Sequence, residues 1–156
     1  MTSNKSVSSV LTKQGLDSLQ KEYKEKLSER ERISNEINLA RAEGDLSENE
    51  AYHAGLLARD LNESRISEIE SILENYTVVE TKQNNIVQVG STVTVKVKDI
   101  EKVYKIVGVN ESDPIAGKIS GDSPLGSALL GKKAMESINL NIDDSLVKYD
   151  IIKVVN

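Results

Sequence analysis

The sequence contains no cysteine, no tryptophan and no phenylalanine, and it has a single histidine. Without cysteine the chain has no disulfide, no thiol nucleophile and no cysteine ligand for a metal. One histidine argues against a histidine-rich zinc site. The aromatic side chains are five tyrosines. A core must therefore be built from isoleucine, valine and leucine, and a platform of aromatic rings for stacking bases is not expected.

The sequence also lacks a long uncharged apolar run. A membrane-spanning helix needs about 20 such residues, and a signal peptide needs a shorter apolar segment near its start. Residues 1–10 are rich in serine instead, which predicts a flexible tail. We therefore expect a cytoplasmic protein with no membrane partner.

The length of 156 residues suits one large domain or two small ones. The formal net charge is −5, so the protein as a whole is not a basic clamp for nucleic acid. Residues 1–75 carry ten basic and fifteen acidic side chains, whereas residues 76–156 carry ten lysines, ten acids and no arginine. The two halves are built differently, and the acidic excess lies in the first.

Helical periodicity runs from Thr12 to about Ala42 and again from about Ser47 to Asn75. Thr12 is a candidate N-cap of the first helix. The four residues 43–46 allow only a short connection, which makes the helices antiparallel neighbours. The sequence thus predicts an antiparallel coiled-coil hairpin over residues 11–75. Its apolar stripes recur at three- and four-residue steps: Leu16, Leu19, Tyr23, Leu27, Ile33, Ile37 and Ala40, then Ala51, Ala54, Ala58, Leu61, Ile66, Ile69, Ile72 and Leu73.

After residue 75 the apolar period changes to two. Alternating valines predict a strand over residues 92–98, and a second strand is predicted from Lys102 to Val109 after a turn at residues 98–101. Pro124 near the start and Gly131 just past the end predict a short helix between them. The fold class is therefore α+β, with a small antiparallel sheet domain over residues 76–156. Further strands are predicted at residues 117–120, 136–140 and 145–155, the last two joined by a turn at Asp143 and Asp144.

The predicted connection between the helices concentrates acid, with Glu43, Asp45, Glu48 and Glu50 in eight residues. In one interpretation Asp45 is the N-cap and Glu48 the third helical residue of a capping box, where acids also complement the helix dipole. In the other interpretation Ser47 is the N-cap, and Asp45 and Glu48 are free at the apex. Two free carboxylates are oxygen ligands suited to Mg²⁺, but they bind it weakly unless a partner supplies the remaining ligands.

The run Ala-Glu-Gly-Asp-Leu-Ser-Glu-Asn at residues 42–49, followed by Tyr-His-Ala at 52–54, resembles the signature of the bacterial transcript cleavage factors of the GreA/GreB family. Ser-Pro-Leu-Gly at residues 123–126 adds a second point of resemblance far away in the sequence. The resemblance extends from Leu11 to Val155 and is closer to the GreA type than to the GreB type. One departure is Asn-Glu-Ala-Tyr at residues 49–52, where the family commonly has Asn-Ala-Glu-Tyr.

This resemblance implies a coiled-coil finger that enters the secondary channel of a backtracked bacterial RNA polymerase, and an FKBP-like C-terminal domain that docks at the channel entrance. Asp45 and Glu48 would be the tip acids that act in the polymerase active site, where they share a Mg²⁺ ion with the polymerase. The reaction would be hydrolysis of the nascent RNA near its 3′ end. The protein would be an auxiliary factor rather than an enzyme, with no cofactor of its own when isolated.

The resemblance also implies a basic patch that faces the RNA, for which this chain offers Arg41, Arg59 and Arg65. Arg41 fits a second interpretation equally well, as an ion-pair partner of Glu43. A basic residue often follows the His-Ala-Ala run of the family, but here Leu56-Leu57 follows, which lowers the charge expected of this patch. The resemblance places polymerase docking on one segment of the C-terminal domain: Ser123, Pro124, Leu125 and Gly126.

Two other functions fit parts of the pattern. A secondary-channel inhibitor of similar fold would block the polymerase, but such homologues carry a different set of tip acids, and the Asp45–Glu48 spacing favours cleavage. A coiled-coil chaperone or prolyl isomerase with an FKBP-like domain would need an aromatic pocket. The absence of phenylalanine and tryptophan argues against that pocket.

Overall fold

The computed structural model describes residues 9–43 and 48–156. The predicted α+β class is confirmed, and the described residues divide into two compact units. We call Asp17–Asn75 the hairpin and residues 9–16 together with Tyr76–Asn156 the sheet unit. The predicted domain boundary therefore needs correction, because residues 11–16 pack with the C-terminal half of the chain. Most of the predicted flexible tail, residues 1–8, lies outside the described residues.

Two long helices form the hairpin, α1 over Lys13–Ala42 and α2 over Glu50–Glu74. The predicted N-cap of α1 is confirmed, because the hydroxyl oxygen of Thr12 accepts a hydrogen bond from the backbone N–H of Gly15 at 2.9 Å. Helix α2 begins three residues later than predicted. No helix in residues 9–43 and 48–156 is both long and apolar enough to cross a membrane.

The helices of the hairpin pack along a narrow seam, with hydrogen bonds between side chains of α1 and α2. Tyr23 donates to Glu70 at 2.8 Å near one end of the seam, and Asn49 lies beside Ala40 at the other, so the helices are antiparallel as predicted. Leu61 was predicted for the seam but is 65% exposed. Asn62 is buried in the seam instead. The buried side chains of the seam are Leu19, Ile33, Ile37, Ala40, Asn62, Ile66, Ile69 and Ile72.

A two-stranded parallel sheet joins the start of the chain to the segment that follows α2. Strand β1 spans Ser9–Thr12 and pairs with strand β2, Tyr76–Val79. Neither strand is predicted by the sequence pattern, and Ser9 and Val10 fall within the predicted tail. The carboxylate of Glu111 accepts hydrogen bonds from the backbone N–H and the hydroxyl of Thr12, which fixes the end of β1 within the sheet unit.

The main sheet has five strands in the order β5-β4-β3-β7-β6. Strand β5 pairs with β4 in parallel, so the predicted all-antiparallel sheet is wrong at this edge. The reason is the long connection between them, in which a 3₁₀ turn at Val109–Glu111 carries the chain back before β5 begins. The strands are β3 Thr92–Val97, β4 Ile100–Val107, β5 Lys118–Ser120, β6 Ser137–Ile142 and β7 Ser145–Val155.

A short helix, α3, spans Pro124–Leu129, close to its predicted bounds. One face of the main sheet and α3 enclose an aliphatic core that contains one tyrosine, in agreement with the composition. The buried members of this core cluster are Val87, Val93, Val95, Ile106, Ile119, Leu129, Ile138, Tyr149, Ile151 and Val154.

Candidate functional site

The structure describes the acidic end of the hairpin up to residue 43 and again from residue 48. Glu43 follows the last residue of α1, Glu48 precedes the N-cap of α2, and Glu50 is the first residue of α2. All three side chains are exposed. Asp45, the other predicted tip acid, lies outside the described residues. The described part of the tip therefore presents an exposed Glu48 carboxylate immediately beside the start of a helix.

Both predicted capping boxes are corrected by the position of α2. Its N-cap is Asn49, whose side-chain oxygen accepts a hydrogen bond from the backbone N–H of Tyr52 at 2.9 Å. Glu48 lies outside the helix and so is not the third helical residue of a box that starts at Asp45. Ser47, the other predicted N-cap, lies outside the described residues. Asparagine is among the preferred N-cap residues, so the signal was present in the sequence but was assigned to its neighbours.

Asn49 also connects the two helices of the hairpin. Its side-chain Nδ2 donates a hydrogen bond to the carbonyl oxygen of Ala40, near the end of α1, at 2.7 Å. The same carbonyl accepts the backbone N–H of Glu43 at 3.2 Å. The backbone carbonyl of Asn49 accepts the N–H of His53 at 3.1 Å and so begins the hydrogen bonds of α2. The residue after Glu48 is thus tied to both helices at once.

Aromatic and cationic side chains lie beside this connection. The guanidinium of Arg41 is 5.8 Å from the centroid of the Tyr52 ring, a cation–π distance. The Tyr52 ring meets the His53 ring edge-on with centroids 5.8 Å apart. Arg41 and His53 are exposed, and Tyr52 is half-buried. Tyr52 on α2 and Arg41 on α1 thus give the tip a second contact between the two helices.

Gly55 allows α1 and α2 to approach closely near the tip. A Cβ atom at Gly55 would lie 2.7 Å from Cγ1 of Ile37 on α1. Ile37 is buried, so the space that a larger residue would need is already filled. The absence of a side chain at Gly55 is therefore a packing requirement of the seam.

Two of the arginines predicted to face RNA form ion pairs inside the hairpin. Arg65 donates to both carboxylate oxygens of Glu22, at 2.6 and 2.9 Å, and to Glu68 at 2.7 Å. The Arg65 hydrogen bonds lower the pKa of Glu22, and the two carboxylates raise the pKa of Arg65. Arg59 pairs with the adjacent Asp60 at 2.9 Å. A contact of these arginines with RNA stays a prediction, and Arg65 in addition ties α2 to α1.

The predicted docking segment begins at the start of α3. The hydroxyl of Ser123 accepts the backbone N–H of Gly126 at 3.1 Å and donates to the carbonyl of Ser120 at 2.6 Å, which makes Ser123 the N-cap. Pro124 follows at the first helical position and is exposed. Gly126 is buried, and a Cβ atom there would collide with the Ser120 carbonyl, so the position requires glycine.

Leu125 of the predicted docking segment is not freely exposed. It is half-buried and packs against the core cluster of the sheet unit. Pro124 is consequently the exposed apolar residue of this segment. Whether the segment contacts a polymerase stays a prediction, but its geometry is fixed by the cap and by the core.

A cleft of about 350 Å³ lies beside the docking segment, within the sheet unit. Aliphatic side chains and small polar residues line it, and none of its lining residues is aromatic. Its walls include Val89, Val107, Gly121, Asp122 and Leu130.

Comparison with known proteins places this geometry in a family. Residues 9–78 match the family described as "Transcription elongation factor, N-terminal". Residues 82–156 match the family described as "Transcription elongation factor, GreA/GreB, C-term". Together the two matches cover nearly all described residues of both units.

Two relatives that are 40% identical to the chain agree with these matches. The chain is 40% identical over 150 residues to the transcription elongation factor GreA of Clostridium acetobutylicum, which covers 93% of this chain and 95% of that protein. It is 40% identical over 149 residues to GreA of Beijerinckia indica subsp. indica, covering 92% and 95% of the two chains. The crystal structure of GreA factor homolog 1 of Thermus thermophilus aligns with 96% of this chain and 99% of its own, at 20% identity and a TM-score of 0.46. The chain belongs to the GreA/GreB family of transcription elongation factors.

Proposed function

We propose that this protein enters the secondary channel of bacterial RNA polymerase and stimulates hydrolytic cleavage of the backtracked nascent transcript near its 3′ end, which rescues arrested complexes. The observation that carries the proposal is the exposed Glu48 carboxylate beside an N-cap that is tied to both helices of a hairpin. Such an arrangement presents acid at the end of a slender element. Membership of the GreA/GreB family supports the same function.

The carboxylates of Asp45 and Glu48 would be the ligands that this chain contributes to a Mg²⁺ ion shared with the polymerase. The exposed carboxylate of Glu48 fits that use, because Mg²⁺ prefers carboxylate oxygens and is commonly held by one or two of them. The chemistry that a Mg²⁺ ion would supply when bound there is activation of water and stabilisation of charge on the leaving oxygen. Two carboxylates leave most of the Mg²⁺ octahedron to other ligands, so the polymerase would supply the remainder, and the isolated factor would act as an auxiliary.

The sheet unit would provide the docking surface through Ser123, Pro124, Leu125 and Gly126. Support comes from the rigidity of this segment, since Ser123 caps α3 and Gly126 packs against Ser120. A fixed loop of this kind loses little conformational entropy when it binds a partner. The positively charged patch toward the RNA would depend mainly on Arg41, because Arg59 and Arg65 already pair with carboxylates of the hairpin.

The first prediction tests the tip acid with stalled elongation complexes that carry end-labelled RNA. The wild-type factor should stimulate release of short 3′ RNA fragments, and Glu48→Gln should abolish the stimulation because the amide is a poor Mg²⁺ ligand. Glu43→Gln and Glu50→Gln are matched controls, since each removes the same charge from a neighbouring exposed position. Both controls should cleave like the wild type, and all variants should bind the polymerase with similar Kd.

Other outcomes identify the alternative functions. A wild-type factor that slows RNA synthesis without releasing fragments would be an inhibitor of the secondary channel. Cleavage of free RNA by the factor without polymerase would contradict the auxiliary role. Acceleration of proline isomerisation in a test peptide would favour the isomerase, although the cleft beside the docking segment lacks an aromatic lining residue.

A further inference from the structure

We propose that Asn49 is a positioning residue for transcript cleavage, which fixes the Glu48 carboxylate by linking the ends of α1 and α2. The inference rests on the proposed function, because it concerns how the tip acid is held. Asn49 would act through Glu48 and need not touch RNA or Mg²⁺.

The link depends on both ends of the Asn49 amide. Its Oδ1 accepts from the Tyr52 N–H at 2.9 Å, while its Nδ2 donates to the Ala40 carbonyl at 2.7 Å. If the amide were flipped, its NH₂ group would face the Tyr52 N–H and its oxygen would face the Ala40 carbonyl, and neither contact is a hydrogen bond. These two neighbours therefore determine which side-chain atom of Asn49 is oxygen and which is nitrogen. The Asn49 side chain therefore spans the end of the seam from the first turn of α2 to the last turn of α1.

Capping alone does not require an asparagine at this position. Serine and aspartate cap helices about as well as asparagine. The aspartate carboxylate has no N–H to donate, and the serine hydroxyl is shorter and cannot reproduce the planar donor and acceptor pair. The bond to Ala40 is thus the contribution that is particular to asparagine, and it is separable from the cap by mutation.

The bond to Ala40 bears on Glu48 because the two residues are adjacent in the chain. The backbone of Asn49 is extended, with φ −88° and ψ 92°, and its carbonyl begins the hydrogen bonds of α2. With the side chain tied to α1 as well, the direction in which the chain leaves Asn49 toward Glu48 is set by two helices. Placement errors of about 1 Å in a reacting constellation can slow a reaction about 100-fold. Loss of the link should therefore reduce cleavage without loss of the hairpin.

The experiment uses full-length Asn49→Ser and Asn49→Asp in the cleavage assay with stalled complexes, with Asn38→Ser as control. Asn38 is an exposed asparagine on α1, close to Ala40 but outside the link. We expect Asn49→Ser to keep the helical circular dichroism, melting temperature and polymerase Kd of the wild type. Asn49→Asp should keep the circular dichroism and the Kd but melt at a lower temperature, because its carboxylate faces the Ala40 carbonyl. We expect cleavage to be slower by about tenfold or more, with a higher Mg²⁺ concentration needed for half-maximal rate. Asn38→Ser should match the wild type in every measurement.

Three results would overturn the inference. Wild-type cleavage by both Asn49 variants would show that the cap is the only role of this side chain. Slower cleavage that follows a fall in melting temperature or polymerase affinity, with unchanged Mg²⁺ dependence, would show a purely structural role. Equal cleavage by the wild type and by Glu48→Gln would refute the proposed function and this inference with it. If Glu48→Gln abolishes cleavage but both Asn49 variants cleave at the wild-type rate, only this inference is refuted.

Discussion

In the hairpin, buried apolar side chains lie along one seam and charged side chains bridge the helices beside it. In the sheet unit, the buried apolar side chains form one cluster between the strands and α3. The middle of the seam is polar: Asn62, only 4% exposed, donates to the Lys26 carbonyl at 3.0 Å, and its side-chain oxygen has no hydrogen-bond partner among the described residues. A buried polar atom without a partner costs about 1–3 kcal/mol.

Different forces hold the two parts of the molecule. Burial of aliphatic groups stabilises the sheet unit by an amount that changes little with salt or with pH. The ion pairs of the hairpin are partly exposed, as for Arg30 with Glu63 and Arg65 with Glu22. Such pairs contribute little each and are weakened by salt. The sheet unit has two ion pairs of this kind among the described residues, Lys96–Asp99 and Lys148–Asp150, and the hairpin has more. The element proposed to deliver the acid should therefore respond more strongly to solution conditions.

The largest effect is expected from a charge placed against the core of the sheet unit. Leu125→Asp should lower the free energy of unfolding by about 2 kcal/mol or more, because its side chain packs on the core cluster. Leu57→Asp, at a position 63% exposed on α2, should change it by about 0.5 kcal/mol or less. Chemical denaturation followed by circular dichroism measures both.

Pro124→Ala completes this test because Pro124 is the exposed apolar residue of the docking segment. If the segment docks on the polymerase, this variant should weaken binding at unchanged melting temperature, and cleavage should recover at high factor concentration. Unchanged stability of Leu125→Asp would contradict the packing described for Leu125. Unchanged polymerase affinity of Pro124→Ala would move the docking site elsewhere.

The sequence predicts the parts of this fold that follow from regular periodicity. The two helices, strand β3 and the turn at Asp143 and Asp144 follow from spacing and turn composition alone. The turn predicted at residues 98–101 is confirmed in place but is shorter, with only Lys98 and Asp99 in the left-handed region at φ of 46° and 67°. Its length was not predicted because lysine carries no preference for that region. Strand β4 consequently starts at Ile100, two residues before the predicted start.

Contacts between distant segments were harder to predict. The parallel pairing of β1 with β2 joins a segment that precedes the hairpin in the chain to one that follows it. A local sequence pattern does not indicate which distant segment a strand pairs with. The run Tyr-Thr-Val-Val at residues 76–79 has high strand propensity, which was the available signal. At the tip, Asn49 was overlooked since Ser47 and Asp45 are equally good N-caps by residue type, and tertiary contact with Ala40 decides among them.

Lowering the pH should have a smaller effect on stability, and this effect should be larger in the hairpin than in the sheet unit. Hydrogen bonds from Arg65, Lys26 and Arg30 lower the pKa of Glu22, Glu29 and Glu63, respectively. A carboxyl group with a lowered folded-state pKa stabilises the fold above its ordinary pKa and loses that contribution as the pH falls through the folded-state value. The hairpin should therefore lose stability from about pH 5 downward, toward about pH 3.

Thermal melting followed by helical circular dichroism reports on the hairpin, because the sheet unit has only the six-residue helix α3. In a Tyr23→Phe, Tyr52→Phe background, the near-ultraviolet tyrosine signal reports on the sheet unit, because the remaining tyrosines (Tyr76, Tyr104 and Tyr149) all belong to it. We expect the helical transition to shift further than the tyrosine transition between pH 6 and pH 3, although each of these exposed pairs contributes little on its own. In Arg65→Met the shift of the helical transition should be smaller, and an equal shift in that variant would show that other groups control the acid response.

The smallest effect is expected at Gly55, where two physical terms oppose each other. Alanine is a better helix former than glycine by about 1 kcal/mol, so Gly55→Ala would stabilise an isolated α2. In the hairpin the new methyl group would lie 2.7 Å from Cγ1 of the buried Ile37, and that atom is not at the free end of a flexible side chain. We therefore expect Gly55→Ala to leave the melting temperature unchanged or lower, despite its higher helix propensity. In an Ile37→Ala background, which removes Cγ1, the same substitution should raise the melting temperature relative to Ile37→Ala alone. Stabilisation by Gly55→Ala of equal size in both backgrounds would show that the helices do not approach as closely at this point as the contact between Gly55 and Ile37 requires.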